Sequence, residues 1–135
     1  MEPLVASRLR MDVLLSIACF AVLGAYARYA QSRLVQRWLG RGFPYATLSI
    51  NLLGSLLMGL LFFATAHRLD PALRTGLLSG GLGTYTTFST FSLEVATLLE
   101  NRETAKALTY ALVSVLGGVG AAALGALLAR AWGVL

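Results

Sequence analysis

Four apolar runs, at about residues 13–30, 47–66, 75–99 and 107–128, fill most of this sequence and are joined by short polar connections. As helices, runs of this length cross a hydrocarbon core of roughly 30 Å. Apolar residues make up 57% of the 135 and charged residues 13%, with a mean hydropathy of +0.73. A soluble domain of this size has no interior large enough to hide that surface. The sequence therefore predicts an all-α integral membrane protein with a single four-helix transmembrane domain over 1–135. Eleven Lys and Arg against six acids punctuate the runs and form no patch, so a nucleic-acid partner is not expected. Cys19 is the only cysteine, which rules out an internal disulfide.

The third run is unlike the others. Within it, Gly80-Gly81-Leu82-Gly83 leads into Thr84-Tyr85-Thr86-Thr87-Phe88-Ser89-Thr90-Phe91-Ser92. Glycine leaves the backbone unrestrained, and Ser and Thr compete with a helix for its own hydrogen bonds. At membrane depth such an interruption is tolerated only where the freed backbone groups are buried in protein or line a wet cavity. The stretch is read as a helix break, mid-membrane, that makes an ion site.

Other polar residues are sparse enough to weigh singly. The first run ends in Ala25-Tyr26-Ala27, which mimics a signal cleavage site, but it is long for a signal and no secreted domain follows. It is read as the first span. Arg28, in its last turn, either snorkels to the interface or ties the helix end to a neighbouring chain or vestibule. A basic linker with Arg33, Arg37 and Arg41 is expected next, up to Gly42-Phe43-Pro44. Asn51 stands alone among apolar residues, and needs a partner either as interhelical glue or as a pore-facing amide. His67 has no acid or cysteine at ligand spacing, which disfavours a metal or catalytic role. Tyr110 and Ser114, four apart, share one side of the fourth helix as packing residues or as a short polar track. The Gly- and Ala-rich stretch 117–126 favours close helix contact.

Charge placement bears on assembly. Four spans would put Arg8, Arg10, Arg68, Arg74 and Arg130 on one side, and Arg28, Arg33, Arg37, Arg41, Arg102 and Lys106 on the other. Five against six gives the positive-inside rule almost nothing to work with. Insertion in both orientations would yield an antiparallel dual-topology dimer, closed by a two-fold axis in the membrane plane.

The stretch from Gly83 to Ser92, together with Thr47-Leu48-Ser49-Ile50-Asn51-Leu52-Leu53-Gly54 and Gly24-Ala25-Tyr26-Ala27-Arg28, resembles the Fluc/CrcB family of fluoride channels. The resemblance covers nearly the whole chain. It implies a homodimer in lipid, in the cell inner (plasma) membrane, that exports fluoride along two pathways. It also implies a central structural Na+ held by the backbone carbonyls of Gly83 and Thr86 from both chains. Phe88 and Phe91 would face the pathway, where electropositive ring edges receive an anion. Asn51, Tyr110 and Ser114 would line it too, with Ser89 and Thr90 adding hydroxyl donors. Glu94 falls outside this set, as a vestibule or interface residue. The sequence departs from the family pattern at Thr84 and Tyr85, where a small or aliphatic residue is more usual. Gly118 also stands where a hydroxyl would extend the polar track.

Two rival readings come from other classes. A small dual-topology proton-coupled drug exporter needs a titratable acid deep in its chamber, and the first span has none after Asp12. A non-conducting assembly subunit would explain the glycine faces but not the hydroxyl-dense break. No nucleophile–His–acid set supports an enzyme.

Overall fold

The computed structural model describes the backbone of residues 2–132 and the side chains of residues 10–132. The side chain of Arg8, counted above, lies outside the described residues. The order of elements is α1 (Glu2–Leu39), α2 (Tyr45–Ala64), α3 (Pro71–Thr75), a π-helical stretch (Gly76–Leu82), α4 (Gly83–Tyr85), α5 (Phe88–Glu100) and α6 (Thr104–Ala131). All regular structure among the described residues is helical. Three helical stretches are long and apolar enough to cross a membrane: Arg10–Leu39, Tyr45–Ala64 and Thr104–Ala131.

The ends of these helices follow from local chemistry. Gly40 adopts φ +73°, and its N–H donates to the Gln36 carbonyl at 3.1 Å, which closes α1. Arg33 and Arg37 therefore lie on α1, and the expected basic linker shrinks to residues 40–44. Arg, Gln and Leu are good helix formers, so polarity ends the apolar run without ending the helix. Asp70 caps α3, its Oδ1 accepting from the N–H groups of Ala72 at 2.7 Å and Leu73 at 3.3 Å. Pro71, whose missing N–H costs nothing at a first turn, follows it.

The glycine cluster does something other than break the helix. Gly80 and Gly81 sit inside the π-helical stretch, and Gly83 opens α4. A Cβ added at Gly80 would come within 2.9 Å of the Ile17 Cα, so the glycine admits the α1 backbone directly. The regular structure ends instead at Thr86 (φ −75°, ψ 163°) and Thr87 (φ −152°, ψ 110°), both extended. Helicity then resumes at Phe88, with Thr87 Oγ1 accepting from the Thr90 N–H at 3.2 Å.

Pairing is by parallel neighbours. Ser16 lies against Gly76 and Gly24 against Gly81, so α1 runs alongside the segment 71–85 in the same direction. Leu52 meets Gly117 and Gly59 meets Ala122, so α2 and α6 also run together. A Lys106–Gly42 contact joins the start of α6 to the 40–44 connection at one end, and an Arg74–Phe62 hydrogen bond joins elements at the other. The α2–α6 seam is backbone to backbone: a Cβ on Gly125 would lie 2.7 Å from the Leu60 nitrogen. Gly125→Leu is accordingly expected to lower the melting temperature in detergent by several degrees or abolish folding, whereas Gly120→Ala, with open space around it, should leave it unchanged.

Candidate functional site

The two extended residues are held by side chains from both neighbours. From α2, Asn51 engages both polar groups of the Thr87 main chain. Its Nδ2 donates to the Thr87 carbonyl at 3.1 Å, and its Oδ1 accepts from the Thr87 N–H at 2.9 Å. From α1, Arg28 Nη1 donates to the Thr86 carbonyl at 3.4 Å. Asn51 thus does for Thr87 what a helical ladder would have done. Its amide remains at the site with a second N–H not used by that clamp.

Hydroxyls converge on the same place. Thr87 Oγ1 lies 2.8 Å from Thr90 Oγ1 and 3.3 Å from Ser89 Oγ. Thr86 Oγ1 turns back to the Leu82 carbonyl at 3.0 Å. Thr87 is 7% exposed and separates two cavities, lining both. On one side is a cleft of about 370 Å³ that collects Asn51, Thr86, Phe88, Phe91 and Ser114. The Phe88 and Phe91 rings sit 5.8 Å apart at 38°. Within the cleft wall the Ser114 hydroxyl is buried and has no protein partner. On the other side, Arg28, Ser32, Thr47 and Thr90 surround about 300 Å³.

Glu94 and Tyr110 form a separate group. Glu94 accepts from Thr47 Oγ1 at 2.9 Å and from the Tyr110 hydroxyl at 2.7 Å. Tyr110 is wholly buried, packed edge-on to Phe43 and tilted against Phe91 at 5.2 Å. Glu94 opens onto a third cavity of about 670 Å³, whose rim carries Arg41, Glu103 and Lys106 at the 40–44 end of the bundle.

Of the residues singled out in the sequence, the cleft brings together Asn51, Thr86, Phe88, Phe91 and Ser114. Arg28 and Thr90 lie behind Thr87, Ser89 is exposed beside it, and Tyr110 sits behind Phe91 against Glu94. Gly83 borders another hollow, with Arg74 and Ser79. Sequence reasoning missed Thr87 as the hub. The signal was there in the lone Asn51, whose need for a main-chain partner points to the nearby hydroxyl-rich break.

A family profile described as "CrcB-like protein, Camphor Resistance (CrcB)" matches residues 15–126. Among relatives, a protein of Acidithiobacillus ferrooxidans named fluoride-specific ion channel FluC is 62% identical over 112 residues, 82% of this chain and 90% of that one. Proteins of the same name from Magnetococcus marinus and Phenylobacterium zucineum are 50% and 45% identical, covering 84% and 89% of this chain and 94% and 97% of theirs. With three helices able to cross a bilayer and this match over most of its length, the chain is a multi-pass membrane protein and belongs to the CrcB family.

Proposed function

We propose that this chain is a fluoride-selective ion channel, not an enzyme, that lets fluoride leave the cytoplasm across the inner (plasma) membrane. The fluoride-channel names of relatives up to 62% identical support the reading, and one local observation carries it: a buried Ser114 hydroxyl without a partner in the cleft that also holds Asn51, Phe88 and Phe91. Fluoride is small and strongly hydrated, so a pathway must replace its water with donors. Ser114 Oγ–H and the second Asn51 N–H are such donors, and the Phe88 and Phe91 ring edges are electropositive without carrying a full charge. Neutral donors of this kind bind an anion without trapping it. Among the described residues no carboxylate lines the cleft, which fits an anion and disfavours a proton-coupled cation exporter.

The reading includes an antiparallel dual-topology homodimer, supported by the even split of positive charge and by large exposed apolar faces on α1, α5 and α6 for lipid and partner to cover. It places the break mid-membrane and a structural Na+ at the dimer centre. The residues present fit such an ion. The Thr87 N–H that would complete a helical bond to the Gly83 carbonyl donates instead to Asn51, and the extended Thr86 turns its carbonyl out of the ladder. Hard cations take oxygen ligands, and the carbonyls of Gly83 and Thr86 would supply them. When bound, the ion adds fixed positive charge beside the anion path. Arg28, bonded to Thr86, adds to the same positive field. Glu94, its carboxylate held by Thr47 and Tyr110, belongs to a vestibule rather than to the cleft.

The direct test is anion efflux from liposomes reconstituted with the purified protein. Rapid fluoride efflux with chloride retained is expected. Efflux no faster than from empty liposomes, from protein shown to be folded and dimeric, would reject the homodimeric channel.

A further inference from the structure

Tyr85 is the last helical residue before the two extended threonines, and it is 7% exposed. Its ring belongs to the buried cluster of Ile50, Leu78 and Leu82, where a phenylalanine would serve equally well. Its hydroxyl, however, donates to Oε1 of Gln31 on α1. Gln31 Nε2 in turn donates to Ser49 Oγ on α2 at 3.1 Å, and Ser49 Oγ donates to the Ala46 carbonyl at 2.9 Å. Three separate elements are thereby joined through side chains, and the chain of bonds begins one residue before Thr86. Around the Tyr85–Gln31 bond lies a groove of otherwise apolar lining, including Phe20, Leu23, Leu53 and Leu57. With no polar alternative in that lining, the bond has a strong preference for one geometry.

Gln31 also stands three residues, one helical turn, after Arg28. The same face of α1 therefore grips Tyr85 through Gln31 and the Thr86 carbonyl through Arg28. We propose that Gln31 and Tyr85 form a latch that positions the break, fixing the direction in which the Thr86 and Thr87 main chain leaves the first half of the third span. Both are positioning residues: neither lines the Phe88–Ser114 cleft. The inference rests on the channel reading only for its transport measurement.

The test combines two measurements on the full-length protein: hydrogen–deuterium exchange of the peptide spanning residues 83–91, and fluoride efflux from liposomes. Wild type is compared with Tyr85→Phe, Gln31→Leu and Gln31→Glu. Losing one buried hydrogen bond next to the break should speed exchange in that peptide about tenfold and slow efflux by a similar factor in Tyr85→Phe and Gln31→Leu. Peptides from α6 should exchange as in wild type. Gln31→Glu keeps an oxygen to accept from Tyr85 but loses the donor to Ser49, and should restore both readouts in part. Wild-type exchange and efflux in Tyr85→Phe would overturn the latch. If wild type carries no fluoride yet Tyr85→Phe exchanges faster with partial rescue by Gln31→Glu, the channel reading fails and the latch stands.

Discussion

Phe88→Ile is expected to cut fluoride efflux about 100-fold, equivalent to roughly 2.7 kcal/mol of barrier, while leaving the melting temperature of the purified protein within a few degrees of wild type. Phe88 is 79% exposed on the isolated chain, so its ring contributes little to the packing within one protomer. Yet it stands at the lip of the cleft, beside Phe91 and across from Asn51 and Ser114. Isoleucine preserves bulk and hydrophobicity but removes the electropositive ring edge. That substitution separates the anion-facing property of the side chain from its volume. Efflux within twofold of wild type would show that the ring edge does not face the ion.

Asn51→Leu should be the more damaging of the two, because it strikes fold and pathway together. Leucine keeps the branched shape and number of side-chain heavy atoms but leaves the Thr87 N–H and carbonyl unpaired in a buried position. Each orphaned group costs about 1–3 kcal/mol, less where the unfolded chain finds other partners within the membrane. A fall in melting temperature with near-complete loss of fluoride efflux is expected. Asn51→Asp offers a graded control. It still accepts from the Thr87 N–H but has no amide to donate, so it should recover part of the stability while fluoride efflux stays low. Asn51→Leu with wild-type stability would mean that Thr87 finds other partners and that the clamp is not what holds the break.

The sequence made some of this legible, and the boundaries of that legibility have physical causes. Hydropathy located the apolar runs because membrane solvation acts on each residue almost independently. It misjudged the end of α1 because Arg33 and Arg37 end the apolar run without ending the helix. The glycines at 80, 81 and 83 pointed to the right dozen residues for the wrong reason. Glycine permits a break but also permits contact, and the proximity of Ile17 and Phe20 decides between these uses. That decision belongs to tertiary packing, which no local pattern encodes. The interruption begins three residues after Gly83, at Thr86 and Thr87, where Asn51 offers the main chain a substitute partner. The Gln31–Tyr85 bond was invisible for a related reason: 54 residues separate the partners, and neither sits in a recognisable spacing.

The two extended threonines also have an electrical consequence. In an unbroken helix successive peptide dipoles cancel along the interior, and partial charge survives only at the two ends. The extended backbone at Thr86 and Thr87 creates a new pair of helix ends inside the protein: the carbonyl end of the segment 71–85, partly negative, and the amide end of α5, partly positive. They face each other across two residues. A single neutral stretch of chain thus presents opposite polarities a few ångströms apart. No ionised side chain is required for either.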